Sequence, residues 1–587
     1  MKKSSILARI ILLVTALCFS GVLIFRSVLW NLVKPEDMRS LYFSLAFFVV
    51  CSVVLFGVVK KDGFTALADK KWFRSALWRI LIVTRLLAVV VYMSLTPLDD
   101  AVTYIRILSA LTPENDRVNT IVFGAALWAL AAAITAVCLL RRKRKLNGRA
   151  WQVCTWAPVC VALVVALASL LVANRILPGK AFFEIPLSVE ASNRDLASYM
   201  AVFPHFLGYP SMLAVAYWMS FGLLSFVTTA QLLNLLLSLF IGVFIYLTAK
   251  NTGGEKAGRV AVFLWAIWPS QIFYTAVPLA EIPYVFCLTG VLCVASFAYK
   301  HRANKRLAAL LMLYTTLCCA FANFIRPLAI LLFIAILLWL ALASLRQAGA
   351  KRNLPRAAGL IACCVLLFFG VGSFLRLAQE KVVGREPAGF AMGWNLLDGS
   401  NADALGKWNA EDNAIFSPVY QQVQRREITP DELHRELFAI GMERYTSRGL
   451  GNLPFWGAKI VDLWGKDEVG FTYPIRMKQD YGFQNMEPFY SGLRGFNNGF
   501  YMAMVLYMVC LLVKRFRSSF HAPESFWFVY LPLLYILGMV VSHMILEQGQ
   551  RYSFPAVAMM ALIIGLLSQA KKDDENGTET AIAETEV

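Results

Sequence analysis

The residues best suited to chemistry in this sequence stand where apolar runs end. Asp99 and Asp100 follow Thr96-Pro97-Leu98 directly after one such run. Two adjacent carboxylates can bind a cation, or one can act as a general base whose pKa is raised by its neighbour. The pair can equally cap a helix, since Asp is a favoured N-cap and Pro97 closes the preceding segment. Glu281, in Leu279-Ala280-Glu281-Ile282-Pro283, is the only carboxylate in a very short turn between two apolar runs. Desolvating a charge there is costly, which makes Glu281 a site candidate. Arg551, in Glu547-Gln548-Gly549-Gln550-Arg551-Tyr552-Ser553-Phe554-Pro555, and Arg326, in Phe324-Ile325-Arg326-Pro327, pose one choice twice. Each can grip a phosphate through its planar fork or snorkel as a helix anchor. Tyr199 to Pro210 gathers aromatics, prolines, a glycine and His205 into one segment, which suits a rigid interfacial turn as well as a ligand wall.

The elements that must position these residues are membrane helices. Of 587 residues, 58% are hydrophobic and 16% charged, far more apolar surface than soluble cores of this size need. Apolar runs of about 18 or more residues recur along the chain, and a run of that length crosses the hydrocarbon layer as a helix. The pattern predicts about 14 spans. They lie near 5–27, 40–59, 76–95, 118–140, 152–174, 226–248, 258–275, 280–298, 307–323, 327–345, 357–375, 497–513, 525–543 and 552–569. The first is long and lacks a clean small-x-small cleavage site, so it reads as retained.

The net charge of +19 does not point to nucleic acid, because the basic residues recur in alternate short loops instead of covering one domain. Lys60 to Arg74, Arg141 to Arg149, Lys300 to Arg306, Arg346 to Arg356 and Lys514 to Arg517 are such loops. With a cytoplasmic amino terminus all of them fall on the cytoplasmic side, as the positive-inside rule requires. The expected place is a cell membrane with both termini inside. The twelve cysteines lie in or beside apolar runs and show no zinc or disulfide spacing. Ionisable residues are expected at span ends and not at span midpoints, which argues against an ion-coupled transporter.

Outside the membrane, two regions are large enough to carry chemistry: 96–117 together with 175–225, and a small domain at 376–496. The expected division is thus a membrane domain to 375, an extracytoplasmic domain to 496, helices at 497–570 and a polar, acidic, disordered cytoplasmic tail at 571–587.

Taken together, these segments resemble bacterial GT-C glycosyltransferases of family 39, related to protein mannosyltransferases. Leu98-Asp99-Asp100 and Tyr104 stand where that family has an acidic span exit followed by a tyrosine. Tyr199 to Pro210 is similar to its Phe-Pro-His-x-x-Gly-Tyr-Pro segment, Leu264 to Gln271 to its Trp-Pro-Ser-Gln segment, and Ala280-Glu281-Ile282-Pro283 to its Glu-Pro turn. Gly393-Trp394-Asn395, Gly399-Ser400-Asn401, Gly406 to Asp412 and Glu547 to Pro555 resemble later landmarks. One departure is an extra apolar hairpin, 118–174, between the acidic exit and the Phe-Pro-His segment.

The resemblance implies a GT-C-like helical fold with an α-rich outer domain. It also implies transfer of a sugar from a polyprenyl-phosphate donor in the bilayer to an extracytoplasmic acceptor: protein, glycolipid or envelope polymer. Asp100 would be the base, supported by Asp99 and Glu281, with Glu184, Glu190 or Asp195 as alternatives if the catalytic loop begins after the hairpin. Tyr104, His205, Tyr209, Arg326, Glu547, Arg551 and Tyr552 would contact substrate. A divalent cation is the one cofactor the residues leave open. Rival readings are a polysaccharide polymerase or ligase, which would lean on Arg and His, and a lipid-linked-sugar transporter, which would need charges within spans.

Overall fold

The computed structural model describes residues 2–33, 44–54, 68, 70–92, 99–112, 120–131, 193–346, 350–467, 487–518 and 524–568. The expected span at 152–174, the basic 141–149 loop, Glu184, Glu190 and the tail from Lys571 lie outside the described residues. So do the side chains of Asp99 and Asp100.

Among the described residues all regular structure is helical. Eight helices are long and apolar enough to cross a membrane: Leu7–Ile24, Phe226–Ile267, Glu281–Lys300, Lys305–Ile325, Leu354–Val383, Gly492–Phe516, Trp527–Ile545 and Arg551–Ser568. Shorter apolar helices occupy Ser44–Val54, Thr120–Ala131 and Ala329–Ser344, within three further expected spans. A helix over Lys71–Tyr92 carries Arg74, Arg79 and Arg85.

The expected spans 226–248 and 258–275 belong to one helical element, Phe226–Ile267, broken at Gly254 with φ 87° and ψ 175°. Glycine is suited to that left-handed conformation because it has no Cβ to clash. The chain doubles back there. Trp265 Nε1 donates to Ser238 O at 3.2 Å, and a Cβ on Gly258 would meet Tyr246 O at 2.8 Å. The two arms are therefore an antiparallel hairpin.

Connectivity and contacts sort the helix ends into two sets. At one end Arg259 donates to Ala68 O, Lys300 Nζ to Asn251 Oδ1, and Tyr299 packs on Trp339 and Phe528. The basic turn 300–306 belongs to this end. At the other end stand Glu281, Arg326 and Arg551, together with the continuation into the shorter helices that follow Val383. The helix beginning at Ala350 runs to Val383, seven residues past the expected domain start at 376. Beyond it lie Gly393–Ser400, Ala410–Gln424, Pro430–Arg448 and Asn452–Trp464.

One expectation needs correction. Arg85 lies near the middle of the helix expected to span 76–95, and it is fully buried. Its guanidinium donates to Ser238 Oγ at 3.1 Å, Ala266 O at 3.1 Å and Trp265 O at 2.6 Å. Those two carbonyls end the hairpin's second arm at Ile267, where helix geometry leaves carbonyls without partners. The charge is tolerated because it replaces the missing hydrogen bonds of a helix end.

Candidate functional site

Proline and polar turns at the helix ends aim the site's side chains. Pro327 pushes Arg326 out of the helical region, to φ −147° and ψ 128°, so the Lys305–Ile325 helix ends there. Asn323 Oδ1 accepts from Ile330 N at 3.1 Å and fixes the turn into the next helix. Pro269 likewise puts Trp268 in an extended conformation and starts a short helix, Pro269–Tyr274. The Trp268 indole N–H and the Ser270 hydroxyl both donate to Asp467 Oδ2, at 3.0 and 2.6 Å, joining this break to the segment that follows the Asn452–Trp464 helix. The chain then turns through Thr275–Ala280 into the helix opened by Glu281, and a carboxylate in a first turn is favoured by the helix dipole. Arg551 lies in a turn of 3-10 helix, Gln550–Ser553, ahead of the Phe554–Ser568 helix.

These three helix ends meet on one carboxylate. Arg326 forms a short ion pair with Glu281 Oε1, and Arg551 Nε lies 3.7 Å from the same oxygen. Glu281 is 1% exposed, Arg326 12% and Arg551 24%, so the carboxylate is the floor and the guanidiniums face outward. Tyr552 supports Arg326, whose guanidinium carbon sits 5.8 Å from the ring centroid. The Tyr552 hydroxyl donates to Glu547 Oε2 at 3.1 Å, and His543 stacks on the Tyr552 ring at 5.3 Å.

The opposite wall comes from the Phe-Pro-His segment. A Cβ on Gly208 would overlap the backbone of Phe324 and Ile325, so only glycine lets the Gly208–Met219 helix start against the turn that carries Arg326. Tyr209 follows, edge-on to Tyr104 at 5.2 Å, and Tyr104 stacks on Phe206. Burial pushes the Tyr209 hydroxyl pKa well up, with Tyr104 and Glu281 adding to it. Burial, then Arg326 and Arg551, hold the His205 imidazole well below its usual range, so it is neutral at pH 7.

Comparisons with protein-family models, curated proteins and solved structures find no match. The site is read from its own geometry. Every substrate-contact residue expected from the sequence, Tyr104, His205, Tyr209, Arg326, Glu547, Arg551 and Tyr552, falls within this cluster, with Glu281 at its centre. Asp99 and Asp100 open the Asp99–Leu111 helix that carries Tyr104, with Asp100 four residues before it, about one helical turn. Asp195 is elsewhere: its Oδ1 accepts from Gln424 Nε2 at 2.5 Å, on the outer-domain helix Ala410–Gln424. Among the described residues no group of three or more His, Cys, Asp or Glu side chains is arranged to hold a metal ion.

Three buried polar neighbours of the cluster were not legible in the sequence. Lys459 is buried and donates to Gly399 O at 2.7 Å and Leu546 O at 2.8 Å; burial lowers its pKa to about 7. With the Glu547 N–H donating to Asn395 O at 2.6 Å and the Gln548 N–H to Gly406 O at 2.8 Å, it clamps the segment before Arg551 onto the outer domain. Asp398 lies behind this clamp, its pKa pushed up to about 9 by burial, Glu547 and Asp412. Asn234, fully buried in the run Leu232-Leu233-Asn234-Leu235, donates from Nδ2 to Val277 O at 2.7 Å.

Proposed function

We propose that the chain is a GT-C-type glycosyltransferase that moves a sugar from a polyprenyl-phosphate carrier to an acceptor on the outer side of a bacterial membrane. The observation that carries this reading is the convergence of Arg326 and Arg551, from different helix ends, on the single buried carboxylate of Glu281. Two guanidiniums gathered at one buried carboxylate make a basic site suited to a further anion. A lipid phosphate arriving sideways between helices would match it. The resemblance of the same segments to the GT-C sequences supports the reading independently.

In the reaction proposed, Asp100 takes the proton of the acceptor hydroxyl as its oxygen bonds to the anomeric carbon from the face opposite the leaving group. The bond from that carbon to the phosphate oxygen breaks, and polyprenyl phosphate leaves with the electron pair. Arg326 and Arg551 stabilise the charge that develops there. The sugar inverts at the anomeric carbon. On this reading the basic turns face the cytoplasm and the site faces outward.

Arg551→Lys tests the phosphate role. Lysine keeps charge and reach but not the planar fork. In transfer from a synthetic polyprenyl-phosphate sugar by purified protein, Arg551→Lys is expected to lose most activity, and Arg326→Lys to lose activity also. Wild-type rate and donor affinity in Arg551→Lys would reduce Arg551 to an interface anchor.

A further inference from the structure

Four polar atoms around Glu281 are buried without a hydrogen-bond partner: Tyr209 Oη, Asn234 Oδ1, Glu281 Oε2 and Arg326 Nε. They belong to one place. The Tyr209 hydroxyl interacts with Asn234 and feels the Glu281 charge, though no hydrogen bond of normal geometry reaches it, and Arg326 pairs with Glu281. The Asn234 amide has its orientation fixed, because the atom facing the Val277 carbonyl must be the donor nitrogen. Its remaining atom is an acceptor.

Two of the four atoms, Asn234 Oδ1 and Glu281 Oε2, are acceptors, and the single Tyr209 hydroxyl can supply at most one of them, so at least one hydrogen must come from a ligand. A phosphate bound to Arg326 and Arg551 has only acceptors to offer and leaves at least one unmatched. A group that donates and accepts through adjacent oxygens matches the whole set. Leaving such atoms buried and unpaired is costly, which makes their concentration beside one ion pair informative.

We propose that Asn234, Tyr209 and the second oxygen of Glu281 form a recognition subsite for adjacent hydroxyls of a neutral sugar ring, with Asn234 as a specificity-determining residue. This rests on the transfer reading above and adds where the sugar ring lies. Asn234 Oδ1 and Glu281 Oε2 each accept from a ring hydroxyl. Tyr209 donates to one of the same oxygens, beneath a phosphate held by the arginines. The Asn234 amide nitrogen stays on the Val277 carbonyl while its oxygen reads the sugar.

The test is equilibrium binding by the full chain in nanodiscs of two kinds of lipid: a short-chain polyprenyl phosphate, and the same lipid bearing glucose, galactose or mannose. Wild type is expected to prefer at least one sugar-bearing lipid over the bare phosphate. Asn234→Leu should lower that preference about tenfold while moving bare-phosphate affinity less than about twofold, the size expected for losing one buried hydrogen bond. Tyr209→Phe removes only an unpartnered hydroxyl, so its fold is not at risk, and it should lower the preference several-fold. An unchanged preference in both variants overturns the subsite, as does wild-type binding of bare phosphate with no preference for any sugar. Wild type that binds neither kind of lipid overturns the transfer reading as well.

Discussion

Two carboxylates in this molecule are almost equally buried and oppositely treated. Glu281, 1% exposed, has Arg326 on one oxygen and Arg551 approaching the same oxygen. Asp398, fully buried, has no cation within hydrogen-bond reach; its neighbours are Asp412 and Glu547, and the nearby Arg444 is engaged by Asp412 at 2.7 Å. Burying a charge without a partner costs more than releasing it as a neutral acid, so Asp398 keeps its proton and Asp412 stands beside it to accept the bond. The protein thus spends two arginines on one carboxylate and none on the other. On the proposed function, Glu281 belongs to a charged site that would meet a ligand, and Asp398 is a structural acid behind it.

Removing the Glu281 charge should break the comparison most severely. Glu281→Gln leaves two guanidiniums facing each other without an anion, and uncoupling a buried pair costs about 3–5 kcal/mol. Transfer activity is expected to fall more than about 100-fold, with a lower apparent melting temperature. The double variant Glu281→Gln/Arg326→Met should regain the melting temperature but not the activity. Should the double variant recover both, Glu281 serves the fold alone.

Asp398→Asn should act in the opposite direction. The folded pKa of about 9 lies above the unfolded value, so the folded state holds an extra proton between roughly pH 4 and pH 9 and stability falls as pH rises through that window. Asparagine keeps a donor toward Asp412 and has no proton to lose. The variant is expected to melt a few degrees higher at pH 8, about 2–4 °C for each kcal/mol relieved, and to lose the decline with pH. A lower melting temperature at pH 8 would mean that Asp398 is charged in the fold.

Lys459 sharpens the same contrast from the basic side. Burial lowers its pKa to about 7, below the unfolded lysine value, so the unfolded state holds the extra proton between roughly pH 7 and pH 10 and stability rises with pH there. The Asp398 and Lys459 slopes oppose each other between pH 7 and pH 9. Lys459→Met removes the rising slope, so its melting temperature should keep declining up to pH 9 where that of the wild type levels off. It also frees the Gly399 and Leu546 carbonyls, and a drop in transfer of about tenfold is expected from one misplaced segment beside Arg551. Identical melting profiles in variant and wild type between pH 7 and pH 9 would remove Lys459 from this account.

What the sequence made legible follows from the same physics. Glu281, Arg326 and Arg551 were visible because an ionisable residue at the end of an apolar run is rare and costly, and Tyr104, His205 and Tyr209 because they share resembling segments. Asn234 was hidden because one amide among leucines does not break a span pattern. Asp398 and Lys459 were hidden because each is an ordinary charge in a short helix, Asp398 the one charged residue of Gly393–Ser400 and Lys459 one of two in Asn452–Trp464, and only burial marks them. The hairpin at Gly254 was legible as two spans, whereas Arg85 was not seen as a helix-end partner because its carbonyl acceptors are about 180 residues away.

The smallest effect is expected at Asp195, and it decides which carboxylate the chemistry can use. Asp195 is exposed in the first turn of the Arg194–Val202 helix, where a carboxylate is favoured by the helix dipole for structural reasons alone. Its Oδ1 accepts from Gln424 and lies 3.4 Å from the Tyr420 hydroxyl, both on the outer-domain helix, while its backbone carbonyl accepts from the same hydroxyl at 3.2 Å. None of these partners belongs to the Glu281 cluster. An exposed side chain so engaged joins two elements and is worth at most about 1 kcal/mol. Asp195→Asn is therefore expected to retain transfer within about threefold of wild type, whereas Asp100→Asn removes transfer and leaves the protein inserted and folded. The reverse pattern in the same assay, an inactive Asp195→Asn beside an active Asp100→Asn, would move the base to the helix that precedes His205. It would also place the acceptor against the outer domain instead of beside Tyr104.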